Sequence, residues 1–154
     1  MTATSQAKTL VLTTTQIVAA KPQMAFALIN DLAAYASWAP FLTIVPAAKA
    51  SEAGQLDFRI RVGKIPTPFV LVGQVVAREP GRLMSWRMGG FGIRLLETFE
   101  IAQIRGGTQI IHTVQCDGWL KGLIGKGLLR TYGGFMRALD AAIARRLAMP
   151  KIRR

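Results

Sequence analysis

Two spacings of apolar residues divide the chain. From residue 9 to 116 apolar positions mostly alternate with polar ones, whereas over 119–148 they recur at three- and four-residue steps. The second pattern runs through Leu120, Leu123, Gly127 or Leu128, Thr131, Phe135, Leu139, Ala142, Ile143 and Arg146. It predicts one long amphipathic helix ended near Pro150, a residue that cannot continue backbone hydrogen bonding. At 1.5 Å per residue it would be about 40 Å long, longer than a small domain is wide, so other elements must wrap around its apolar face. Upstream, residues 9–20 have strand composition, Pro22 opens a short helix over Pro22–Asn30, and Asp31 is placed to cap a second over 32–37, ended by Trp38-Ala39-Pro40. Residues 41–50 are weakly strand-like. Over 55–62 Leu56, Phe58, Ile60 and Val62 share one face, and Asp57, Arg59 and Arg61 the other. After a turn at Gly63-Lys64-Ile65-Pro66, strands are predicted at 69–77, 83–88, 93–104 and 108–116, the last two joined at Gly106-Gly107. The order is therefore strand, two short helices, six strands, long helix: an α+β fold in which a curved antiparallel sheet grips the C-terminal helix and leaves a volume between them.

A chain of 154 residues that is 51% apolar supports a single core and excludes bulk disorder. The expected organisation is a polar lead at 1–8, one domain over 9–148 and a basic tail at 149–154. The lead lacks the apolar stretch of a secretory signal, and the longest uncharged run, 32–48, holds Pro40 and Pro46, which suits a membrane span poorly. A cytoplasmic location is the expectation. The one cysteine, Cys116, forbids an internal disulfide, and its place near a strand end makes it a packing residue.

The net charge of +12 is unevenly placed. Residues 121–154 carry nine Lys and Arg against Asp140 alone, leaving a surplus of eight for this stretch. Such a surface attracts phosphates, so an anionic membrane or RNA is a candidate partner, set against the plainer reading of a solvated helix back. No nucleic-acid motif accompanies the charge, and aromatic residues are not interleaved with it, so nucleic acid is not expected.

The order of elements, together with particular residues, resembles the START-like, or SRPBCC, superfamily of the polyketide cyclase/dehydrase and lipid-transport type. The residues are Ala-Lys-Pro-Gln-Met-Ala-Phe at 20–26, then Asp31, Tyr35 and Trp38-Ala39-Pro40, Pro80-Gly81-Arg82-Leu83 with Trp86, Glu97-Thr98-Phe99-Glu100, the Gly-Gly-Thr turn at 106–108, His112, and Gly118 before the long helix. The resemblance implies a seven-stranded helix-grip fold, Bet v 1-like, with a hydrophobic ligand cavity between sheet and helix. It also places Tyr35, Trp38 and Phe41 at the cavity mouth, as gate or as packing. Many relatives carry histidine at the position of Glu97, and a role tied to that histidine does not transfer.

Strand alternation sorts the candidate site residues. Glu97 shares a parity with Ile93, Leu95, Phe99 and Ile101, and His112 with Ile110, Val114 and Cys116, so both point inward. A turn at Gly106-Gly107 sets position 97 opposite a residue near 115–117, within a few residues of His112. Two readings follow. Glu97 and His112 form an acid–base pair at the cavity wall, or Glu97 pairs with an arginine such as Arg59, Arg61 or Arg87 while His112 is a satisfied core imidazole. The second is favoured, because a buried carboxylate usually finds a cation. The expected ligand-lining set is Tyr35, Trp38, Phe58, Ile60, Trp86, Leu95, Phe99, Ile110, Leu128, Thr131 and Phe135. Gly122, Gly125, Gly127, Gly133 and Gly134 weaken the helix by about 1 kcal/mol each relative to alanine, which calls for a loop or irregular turn from Gly122 to Gly127 that opens for ligand entry, room in the cavity, or close packing on a strand. Neither a cofactor motif nor a metal-ligand set is present. The expected function is binding or transport of a hydrophobic small molecule, such as a lipid, fatty acyl or polyketide-like compound. The alternatives are an aromatase/cyclase-type enzyme and a peripheral membrane or RNA-associated protein.

Overall fold

The computed structural model describes residues 10–50, 52–61, 66–90 and 92–149. The lead, most of the 63–66 turn and the tail from Pro150 onward lie outside these residues. Strand β1 (Leu10–Val18) is followed by α1 (Pro22–Asn30), a single 3₁₀ turn (Leu32–Ala34) and α2 (Tyr35–Trp38). Then come β2 (Leu42–Pro46), β3 (Leu56–Ile60), β4 (Phe69–Glu79), β5 (Leu83–Gly90), β6 (Ile93–Ile104) and β7 (Gly107–Asp117). A π-turn (Lys121–Gly125) leads into α3 (Lys126–Ala148). The seven strands form one antiparallel sheet in the order β1-β7-β6-β5-β4-β3-β2. The first strand thus returns to pair with the last, and α3 lies over β1 and β7. This is the helix-grip arrangement.

Pro22 starts α1 as expected, with its ring at the position where an amide would have no partner. Asp31 does not cap the segment that follows. It makes no side-chain capping bond, and the chain passes through the 3₁₀ turn before α2 forms.

The helix departs further from the expected pattern. Its first turn is π-wound, and i→i+5 bonding moves the apolar face out of step with a period extrapolated from residue 119. Leu123, expected on the gripped face, is 81% exposed, and Thr131 is exposed too. The buried set is Leu129, Tyr132, Gly133, Phe135, Met136, Leu139, Ala142 and Ile143, which joins the expected face only from Phe135 onward. The glycines divide in the same way. A Cβ on Gly133 would meet Leu12 at ordinary contact distance, and one on Gly125 would press on Leu10 and touch Cys116 at ordinary contact distance, which is close packing against β1 and β7. Around Gly122, Gly127 and Gly134 the space is open.

Candidate functional site

The inward faces of β1, β5, β6 and β7 meet α3 around a buried polar cluster. The β6–β7 hairpin turns at Arg105-Gly106, because Ile104 pairs with Gly107. That is one residue earlier than a turn centred on Gly106-Gly107, and the shift moves every cross-strand partner by two. Glu97 therefore faces Val114 rather than 115–117, and His112 faces Phe99. Glu97 and His112 become diagonal neighbours on one face, within reach of each other.

They are in direct contact. His112 Nε2 lies 2.6 Å from Glu97 Oε1, and His112 Nδ1 lies 2.7 Å from Asp140 Oδ1 on α3. The hydroxyl of Tyr132, also on α3, donates to Glu97 Oε2 at 2.6 Å, and the indole N–H of Trp86 donates to the same oxygen at 3.1 Å. Thr14, directly opposite His112 on β1, donates its hydroxyl to Asp140 Oδ2 at 2.6 Å, and the Gln16 amide donates to the Asp140 carbonyl. Glu97 is 0% and His112 1% exposed, so these bonds stand in for water on both side chains.

The electrostatics follow from the order of partners. Burial pushes the His112 pKa down, but the hydrogen bonds and charges of Asp140 and Glu97 outweigh it and raise the value from 6.5 to about 9. At neutral pH the ring therefore carries both protons and donates in both directions, one cation between two carboxylates. Its face stacks on Phe99 with centroids 4.1 Å apart. Burial, with the charge of Glu97 added, pushes the Tyr132 hydroxyl well above its usual range, so it stays a donor. Tyr35 is shifted the same way, by burial first, then by Glu97 and Asp31, and it donates to the Ile29 carbonyl at 2.6 Å. Cys116 is pushed up by burial, as suits a packing thiol.

The expected arginine partner of Glu97 is not there. Arg59 alternates with buried Phe58 and Ile60, and Arg87 with buried Trp86 and Met88, so both project from the opposite face of the sheet, while Arg61 stands at the mouth of the grip. The cation is His112 itself. The sequence reading missed Asp140, Tyr132 and Thr14. Asp140 offered a signal, as the one acid in a basic helix. Tyr132 offered none, because the π-turn had displaced the helix face on which it lies.

The residues expected to line a ligand cavity fall into two groups. Tyr35, Phe58, Ile60, Trp86, Leu95, Phe99 and Ile110 are buried in the core. The Trp86 ring touches those of Tyr35, Phe58 and Phe99 at centroid distances of 6.0, 5.7 and 5.4 Å. Thr131 and Phe135 instead line a cavity of about 540 Å³ at the open edge, with Pro40, Phe41, Arg61, Gly134 and Ala138. Leu128 is half-buried nearby on the helix. Trp38 packs on Tyr35 at 4.6 Å, and among the described residues its buried indole N–H has no hydrogen-bond partner. Phe135 closes the inner side of the mouth: it meets Phe41 edge-on at 5.6 Å and lies 4.9 Å from Tyr132, the member of the polar cluster that it touches. No metal-ligating group of His, Cys, Asp and Glu occurs among the described residues.

Known structures share this architecture. A START superfamily protein from Mycobacterium smegmatis is 16% identical, with a TM-score of 0.70 over 89% of this chain and 96% of its own. The Zhui aromatase/cyclase from Streptomyces sp. R1128 is 14% identical, with a TM-score of 0.69 over 90% and 93%. A protein from Thermus thermophilus is 12% identical, with a TM-score of 0.67 over 90% and 97%. At these identities the likeness concerns the fold. No curated protein matches the sequence. Residues 9–144 match the family described as polyketide cyclase / dehydrase and lipid transport, and the match spans strand β1 through most of α3, including every member of the polar cluster. The chain belongs to that family.

Proposed function

We propose that the protein binds a hydrophobic small molecule at the open edge of the grip, with the ligand's apolar body between Phe41 and Phe135 and its polar end toward Arg61 and Thr131. The observation that carries this reading is the mouth cavity. Its walls are mainly apolar, its polar side chains are Arg61 and Thr131, and its volume lies in the range of small-molecule sites. Arg61 favours an anionic or strongly accepting head group, and a fatty acyl or polyketide-like compound supplies one. A naturally fluorescent fatty acid is the probe of choice. It should bind one per chain, and Gly134→Leu should weaken it by about tenfold, because the new side chain enters open space at the cavity wall. Unchanged affinity in a folded Gly134→Leu protein would remove the cavity from the reading.

A second reading, an aromatase/cyclase-type enzyme, is favoured by the unbroken chain of hydrogen bonds from Asp140 through His112 and Glu97 to Tyr132, which ends one ring away from the mouth. Such a chain holds a proton at a defined place and can shift it toward a substrate oxygen that reaches Tyr132. The same sample separates the two: a carrier returns an added poly-β-keto compound unchanged, and an enzyme converts it.

A further inference from the structure

The start of α3 carries an exposed apolar pair beside a line of cations, and nothing in the ligand-binding reading uses it. Leu123 is 81% and Ile124 45% exposed on the π-turn. Lys126 and Arg130 follow Leu123 at three and seven residues, Arg137 stands seven further on, and all three are exposed. Lys126, Arg130 and Arg137, at four- and seven-residue steps within α3, lie along one stripe of the helix, and Leu123 and Ile124 stand on the π-turn just before it. Among the described residues none of the three cations forms an ion pair. The nearest acid along the chain, Asp117, is engaged with Arg94 at 3.6 Å and Lys121 at 3.9 Å. The only acid of α3, Asp140, is held inward by His112 and Thr14. The stripe therefore presents a positive field without local compensation.

We infer that this edge, Leu123 and Ile124 with Lys126, Arg130 and Arg137, docks the protein on an anionic lipid bilayer. Two large aliphatic side chains at a helix start enter the boundary between head groups and acyl chains, while the adjacent cations meet lipid phosphates. The charge argues against a second copy of the chain as the occupant, since two basic stripes would face each other and the protein as a whole carries +12. Nucleic acid fits less well, because it offers nothing to bury Leu123 and Ile124 against. The docked orientation also brings the bilayer beside the mouth cavity, whose helix wall of Thr131, Gly134 and Ala138 adjoins the same stripe.

The test is sedimentation of the full chain with vesicles of equimolar phosphatidylcholine and phosphatidylglycerol, and with phosphatidylcholine alone. Binding is expected to the anionic vesicles only, to fall in ~0.5 M salt, and to weaken by about tenfold in a Leu123→Ser/Ile124→Ser double variant. A Lys126→Glu/Arg130→Glu double variant should lose at least as much. Far-UV circular dichroism verifies that each variant is folded. Because none of Leu123, Ile124, Lys126 and Arg130 lines the mouth, both variants should still bind the fluorescent fatty acid in solution, so a failure of docking is distinguishable from a failure of the cavity reading. Equal binding to neutral vesicles, wild-type affinity in the folded serine variant, or release of the protein from vesicles by an RNA oligonucleotide at equal phosphate would each overturn the proposal.

Discussion

The two halves of α3 face opposite demands. Toward its C-terminal end the helix buries Leu139, Ala142 and Ile143, and Asp140 ties it to His112 on β7 and Thr14 on β1. Toward its N-terminal end it is π-wound, carries three glycines with open space around them, exposes Leu123 and Ile124, and walls a cavity. Tyr132 and Phe135 sit at the junction, one hydrogen-bonded into the polar cluster and the other against Phe41 at the mouth. One half is fixed by satisfied polar groups, and the other is left open where a ligand or a surface would be met. A fold that must keep a sheet curled around a helix and still admit a guest gains from placing these properties at different ends of one element.

The largest expected effect tests the fixed half. Glu97→Ala removes one of the two carboxylates around a buried cation and leaves His112 Nε2, Tyr132 and Trp86 without their shared acceptor. Breaking a buried charge pair in this way costs roughly 3 to 5 kcal/mol, against about 0.5 kcal/mol or less for a surface change such as Arg130→Ala. Urea denaturation should show that gap. A Glu97→Ala protein as stable as the Arg130→Ala one would mean that the cluster does not hold the helix to the sheet.

A smaller effect follows from the charge on His112. Its pKa in the folded protein is about 9, above the ordinary 6.5, so the folded state binds the proton more tightly than the unfolded one. The resulting stabilisation is fully present below pH 6.5 and is lost as pH rises through 9, and a rise of that size corresponds to on the order of 3 kcal/mol. Denaturation midpoints measured from pH 6 to pH 10 should fall over that window in the natural protein and flatten in His112→Gln. A profile unchanged by the substitution would assign the pH dependence elsewhere.

How much of this was legible in the sequence depended on which period governed each segment. Strand alternation reported the inward parity of Glu97 and His112 correctly, because a two-residue period does not drift along a regular strand. It misjudged their cross-strand partners, since one residue of displacement in the Arg105-Gly106 turn shifts the register by two. The helix face was correct at Phe135, Leu139, Ala142 and Ile143 and wrong at Leu123, Thr131 and Arg146, because the glycines at 122, 125 and 127 signalled an irregular turn but not its π winding. Glu97 drew the expectation of an arginine on chemical grounds, and what overruled it was geometry: Arg59 and Arg87 have the wrong parity and the imidazolium the right one. The mouth cavity was legible only in part, through Phe41, Thr131 and Phe135, since a wall that also takes in Pro40 and Arg61 depends on where β2 and β3 end relative to the helix.

The smallest effect sharpens the comparison within the helix itself. Gly134 and Gly125 both have helical backbone angles that alanine adopts, and the helix propensity of alanine exceeds that of glycine by up to about 1 kcal/mol. At Gly134 nothing lies within 4 Å of the added Cβ, so Gly134→Ala should realise most of that gain. At Gly125 the Cβ would stand 2.6 Å from the Leu10 terminal methyl and 3.6 Å from Cys116 Sγ, so Leu10 must turn away from a packed position before any gain is felt. The two substitutions should therefore differ in sign or nearly so, with Gly134→Ala raising the melting temperature and Gly125→Ala leaving it level or lowering it. Equal gains at both sites would show that Leu10 moves freely, and that the contact between β1 and the start of the helix is as loose as the mouth.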